Sequence, residues 1–176
     1  DWLEPYTIVE KNGLRIGIIG IIGHTLESSI LSTNVSQYEF VDPQNIVKTH
    51  IKTLRTEKDC DLVIVSNHDY DEELNYYFSS LQGDYAVDLL LCGHTHTNYD
   101  ILTNRSDGKQ IYVIQNRDKN QTASFVNLIV DDNQNYKESY FERLYPNNFA
   151  EDKIIKEVLS KYDNIYMVIN RGRDAA

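Results

Sequence analysis

Apolar residues in this chain come in strand-length runs that alternate with segments of helical spacing, separated by polar, turn-forming stretches. "YTIVE" and "LRIGIIGII" flank Asn12-Gly13, a pairing that predicts a tight hairpin and makes Leu14 to Ile22 a buried strand. Residues 27–40 are rich in Ser, Thr and Asn and read as a loop. In "VDPQNIVKTHIKTLRTEKD" Asp42 is placed to cap a helix with Pro43 at its first position, and Ile46, Val47, Ile51 and Leu54 fall on one face. "CDLVIVSNH" is then a short buried strand with a polar tip, "DEELNYYFSSLQ" suits a second helix, and "AVDLLLCGH" is another buried strand.

Strand, helix, strand, helix, strand implies crossover connections and parallel pairing over this half. After His96 the pattern changes: "QIYVIQN", "SFVNLIVDD" and "NYKESYFERL" read as three strands joined by short polar turns. "NFAEDKIIKEVLSKY" is an amphipathic helix with Ile154, Ile155, Val158 and Leu159 on one side. The expected fold class is α/β, parallel βαβ units followed by an antiparallel meander. The expected division is 1–149 for that domain and 150–176 for a C-terminal helical segment leading onward.

Composition narrows the function classes. At 176 residues the chain fits one medium domain or part of a larger one. Its 41% hydrophobic and 25% charged residues match a soluble globular protein. The longest apolar run, "IGIIGII", is far short of the ~20 residues that cross a bilayer. No leader pattern opens the chain, and because Asp1 is not a methionine the native N-terminus is expected elsewhere. The formal net charge of −10 opposes binding to nucleic acid or an anionic membrane. It leaves a small phosphorylated substrate open, since a bound metal reverses the local field. Cys60 and Cys92 sit at a strand entry and a strand exit, so no disulfide is expected. Asn34, Asn104 and Asn120 match the Asn-x-Ser/Thr pattern, as an Asn-rich chain does by chance.

The histidines carry the candidate chemistry. His68 follows "DLVIVSN", and His94 and His96 follow "VDLLLCG", so all three lie at the carboxyl ends of predicted parallel strands. Open α/β sheets bind their ligands there. If the two strands are neighbours, the three imidazoles converge, and imidazole is the commonest side-chain ligand for zinc, iron and similar ions. Gly93 allows a sharp exit from the sheet. A lone histidine at a strand end is as readily a polar loop residue, so the weight rests on Gly-His-x-His and its spacing from His68. His24 reads as a polar loop residue, although it also follows a strand end, and His50 belongs to a helix.

These blocks resemble the calcineurin-like metallophosphatases, and within them the 5'-nucleotidase branch. The family pattern runs Asp-x-His, Gly-Asp, Gly-Asn-His-Glu/Asp, a lone His, then Gly-His-x-His. "NGLRIGIIGII", "CDLVIVSNHD" and "VDLLLCGHTHT" resemble its later blocks in order and spacing, and "IYVIQN" with "SFVNLIVDD" resembles its closing strands. The similarity covers roughly residues 6 to 165. "SNHD" superficially matches Gly-Asn-His-Asp, but the interval to His94 is too short for the family's next unit, so His68 corresponds to the lone His. The resemblance implies a share of a four-layer αββα sandwich. It implies that His68 and His94 bind one divalent ion (Zn, Mn or Fe type) and His96 a second. Two ions ~3.5–4 Å apart would activate a water for hydrolysis of a nucleotide or other phosphate ester. A secreted or cell-surface setting is what the family suggests.

The departures are equally informative. No Asp-x-His occurs, and the one Gly-Asp, Gly83-Asp84, falls out of order. The bridging aspartate, the asparagine ligand and the catalytic histidine belong to the family's first half, so no catalytic residue is assigned here. The family's C-terminal, base-binding domain is absent from these residues as well. The expected partner is therefore that first half, in the same protein or in another chain, covering an apolar sheet face near Ile18 and Ile64. Alone, the chain is expected to hydrolyse no phosphate ester. The rival reading is a non-catalytic relative that keeps the fold as a structural or interaction module.

Overall fold

The computed structural model describes residues 3–118 and 121–161. Strands β1 (Thr7–Lys11) and β2 (Leu14–Ile22) form the expected hairpin, and β2 has the bounds the pattern predicts. Asn12 (φ 53°) and Gly13 (φ 81°) both occupy the left-handed region that a tight hairpin turn requires. A short 3-10 turn, His24–Ser29, and a four-residue helix α1 (Ser32–Val35) follow, where a loop was expected. Their apolar members Leu26 and Val35 are buried, which is what orders a stretch of poor propensity.

Helix α2 (Gln44–Thr56) begins one residue later than predicted. Asp42 still accepts the free N–H of Gln44 at 2.9 Å, while Pro43 is the half-in residue. Val47, Ile51 and Leu54 face the core, but Ile46 is 49% exposed and does not belong to that stripe. Strand β3 (Leu62–His68), helix α3 (Glu72–Ser80, capped by Asp71 accepting from Leu74 N) and β4 (Leu89–Cys92) complete the predicted crossovers. The remaining strands of this unit are β5 (Tyr99–Asn104), β6 (Gln110–Gln115), β7 (Ala123–Val130) and β8 (Tyr136–Leu144).

The large sheet has the order β1-β2-β3-β4-β6-β5, with β2, β3, β4 and β6 parallel and the edge strands antiparallel. The three late strands lie where the pattern puts them, but their pairing is divided. β6 joins the large sheet beside β4, and β7 pairs with β8 in a separate two-stranded sheet. Edge strand β5 was not predicted.

One face of the large sheet packs on α2 and α3 through Ile19, Val63, Val65, Leu90 and Val113 against Val47, Ile51, Leu54, Leu74 and Phe78. A Cβ on Gly17 would sit 2.8 Å from Leu54 Cδ1, so the missing side chain is what lets α2 lie this close to β2. The other face meets the small sheet through Leu62, Ile111, Leu14 and Ile16 against Tyr136, Leu128 and Val130. Three layers result: helices, sheet, sheet. That second contact covers the amino-terminal part of β2 and β3, and beyond it Ile18 and Ile64 are only half-buried and Gly20 and Ser66 are exposed. At the β5–β6 turn the buried Arg105 donates to Val87 O at 2.8 Å and to Asp107 at 2.9 and 3.2 Å.

The chain divides into two compact units, Asp1–Leu144 and Tyr145–Ala176. In the second, helix α4 (Lys153–Ser160) is capped by Asp152, which accepts from Ile154 N and Ile155 N, and the apolar stripe Ile154, Ile155, Val158 and Leu159 is exposed. The expected helix end at Tyr162 and the Asn120 match lie outside the described residues.

Candidate metal centre

Parallel pairing sets the site. Asn67 pairs with Cys92 and Ile22 with His68, so the carboxyl ends of β2, β3 and β4 finish level with one another. His68 is the last residue of β3, and Gly93 leaves β4 beside it. A Cβ on Gly93 would stand 3.1 Å from His68 Nδ1, tighter than side chains normally pack. A cavity of about 450 Å³ opens here, lined by Gly20, Ile22, Ser66, His68, Cys92 and Gly93 among others.

The structure brings His68 and His94 together: their rings lie edge to face, with centroids 5.5 Å apart. His96 is placed differently. It is 65% exposed, and its Nδ1 lies 3.6 Å from Asp118 Oδ2. His24 lines a second, apolar cavity that shares Ile21 and Ile22 with the first, and His50 packs against Tyr6.

The backbone carrying the two later histidines is unusual. β4 ends at Cys92, and His94 (φ 73°) and His96 (φ 58°) are both left-handed. Few residues other than Gly use that region, Asn, Asp and His more often than the rest, and such residues cluster at functional sites. Local turning, rather than the alternation of an extended strand, therefore sets the directions of the two rings.

Three side chains outside the predicted set hold this loop. Gln115, 2% exposed at the end of β6, donates from Nε2 to Thr95 Oγ1 and Thr97 O, both at 2.6 Å. Arg143 of β8 donates to Asn98 Oδ1 at 2.6 Å and to Tyr99 O at 3.0 Å. Asn98 Oδ1 also accepts from Arg117 N and Thr122 Oγ1. A polar residue closing the apolar run "IYVIQ" was the one available sequence signal for Gln115. Nothing local marked Arg143 or Asn98.

On the opposite side Asp69, buried, accepts from Tyr70 N at 2.7 Å. Tyr70 stacks on Tyr99 with centroids 3.8 Å apart. Burial pushes the Cys92 thiol up to about 12, against an opposing hydrogen bond to Asn75. Cys60 and Cys92 are free, as expected.

As a donor set, two facing imidazoles have the ligand chemistry that divalent ions of the zinc type take. Among the described residues no group of three or more His, Cys, Asp or Glu is gathered closely enough to hold an ion. Among the same residues no helix is long and apolar enough to cross a membrane.

No family model matches the sequence. It is 33% identical over 108 residues to an apyrase of Tabanus yao, covering 55% of this chain and 18% of that protein. It is 27% identical over 176 aligned residues to the snake venom 5'-nucleotidase of Gloydius brevicauda, covering 91% of this chain and 29% of the venom enzyme. Among solved structures, the 5'-nucleotidase precursor of Thermus thermophilus superposes with a TM-score of 0.75 at 24% identity, over 93% of this chain and 34% of that one. At that identity the likeness speaks for the fold. The chain thus spans under a third of the length of these curated relatives. Near full-length similarity to the venom enzymes, together with the fold shared with the Thermus structure, bears out the resemblance to the 5'-nucleotidases that the sequence suggests.

Proposed function

We propose that this chain is the histidine-bearing part of a 5'-nucleotidase-like phosphoesterase that hydrolyses nucleotide phosphate esters. The observation that carries the proposal is the meeting of His68 and His94 at the level ends of β3 and β4. In this reading His68 and His94 hold one divalent ion and His96 contributes to a second, with the family's first half, in the same protein or in another chain, supplying the bridging carboxylate and the general acid. Ions so held supply Lewis acidity to a phosphoryl oxygen and acidify water. The chain's own part is to hold imidazoles at fixed directions and to leave the cavity beside them open to a small ester. A secreted or cell-surface setting accords with the venom relatives.

The test is Zn²⁺ titration of the chain, followed by AMP hydrolysis after the missing half is supplied. Binding is expected in the wild type, lost in His68→Ala and His94→Ala and retained in His50→Ala. Undiminished binding in His68→Ala would overturn the assignment. A completed protein that binds metal but hydrolyses no phosphate ester would favour the non-catalytic module.

A further inference from the structure

We infer that Gln115 is a positioning residue for the Gly-His-x-His turn: its buried carboxamide holds the Thr95 hydroxyl and the Thr97 carbonyl, on either side of His96, and so sets the directions of His94 and His96. The functional part of this inference rests on the metal-binding reading above; the geometric part does not.

Position comes first. Ile114 pairs with Leu91, so Gln115 lies alongside the point where the chain leaves β4. Its neighbours in β6, Ile111, Val113 and Ile114, are buried and apolar. An apolar residue would satisfy the packing there, and burying an amide is unfavourable unless it is hydrogen-bonded. Packing therefore does not account for a glutamine at this place.

The hydrogen bonds do. Both donor hydrogens of Nε2 are used at 2.6 Å, one on the Thr95 hydroxyl and one on the Thr97 carbonyl, so the contacts bracket His96 in sequence. Thr95 also follows His94 directly. Two anchor points on alternate residues constrain the intervening backbone, and this is the segment where two non-glycine residues hold positive φ. Such conformations persist only where the surroundings over-determine them. Gln115 Oε1 has no partner among the described residues, leaving a buried acceptor beside the same turn. The amide is thus committed to the loop through its donors alone.

The test uses Gln115→Glu, which keeps the shape and removes both donors, and Thr95→Val, which removes one bond at an exposed position. Imidazole NMR signals are read with His24 and His50 as internal controls, and Zn²⁺ affinity is measured by calorimetry. In both variants the His94 and His96 signals are expected to move while those of His24 and His50 stay. Zn²⁺ affinity is expected to fall roughly 10–100-fold in Gln115→Glu, as for other residues that orient metal ligands. Unmoved His94 and His96 signals in either folded variant overturn the inference, and so does a Gln115→Glu affinity within about twofold of wild type. If Gln115→Glu does not fold, Thr95→Val decides alone. A wild type that takes up no Zn²⁺, with signals that still move in the variants, sinks the metal reading and leaves the positioning role standing.

Discussion

Gly23 and Asp69 pack so closely that a methyl group on Gly23 would overlap the Asp69 carboxylate. Gly23 has φ −60° and ψ 130°, a conformation open to any residue, so glycine serves here for space and not for rotation. The contact joins the exit of β2 to the residue after His68.

Gly23→Ala should therefore destabilise the chain by about 1–3 kcal/mol, the usual cost of overpacking. Asp69→Ala in the same background should recover much of that loss. A double-mutant cycle by urea unfolding is expected to give a coupling of about 0.5–3 kcal/mol. Additive effects would mean that Asp69 simply swings away.

His96→Gly should stabilise the protein while weakening its metal binding. The left-handed backbone costs a residue with a Cβ about 1–2 kcal/mol, and glycine escapes that cost while losing more chain entropy. The exposed approach of His96 to Asp118 offsets little. A net gain of roughly 0.5 kcal/mol, seen as a rise of a degree or two in Tm, is expected. A fall in Tm would show that the ring's contacts outweigh the strain.

Asp107 gives a pH-dependent test. Burial raises its carboxyl, but the Lys109 N–H and the Arg105 guanidinium outweigh that and hold it below the ordinary carboxylate range. A depressed folded value means stability present above the unfolded value of about 3.9 and lost as pH falls through the lower folded one. Asp107→Asn should thus cost about 1–2 kcal/mol at neutral pH, partial exposure keeping it modest. The gap between variant and wild type should close below about pH 4 in denaturation curves. A pH-independent gap would assign the loss to hydrogen-bond geometry alone.

An apolar cavity of about 490 Å³ lies between Ile21, Ile22, Val35, Tyr38, Val41 and Ile46. Several of its walls are exposed. The isolated chain should bind a hydrophobic dye, and Ile46→Lys should lower that binding with a stability change within about 0.5 kcal/mol. Unchanged dye binding would place the apolar surface elsewhere.

The strands of the parallel core were legible because burial on both faces writes itself as an unbroken apolar run, and β2 was read to the residue. Strand β5 was not, because "YDILTN" carries too little periodicity; its hydrogen bonds come from β6, which the local pattern cannot show. The same limit hid the split of the late strands between two sheets. Ile46 illustrates a different failure: it is next to Val47 in the helix but, a ~100° turn away, it is left half-exposed beside the stripe of Val47, Ile51 and Leu54. At the site, His68 and His94 followed from strand order, whereas the left-handed turn and its anchors depend on partners distant in sequence.

Arg143 also bears on the order in which the protein is completed. It reaches Asn98 across 45 positions of sequence, from the last strand of its unit. During synthesis from the N-terminus, the β2-β3-β4 core can assemble while β8 is still unmade. The turn bearing His94 and His96 then waits, partly tethered by Gln115, for Arg143 to arrive. Shaping of the histidine turn is in this way linked to completion of the whole unit.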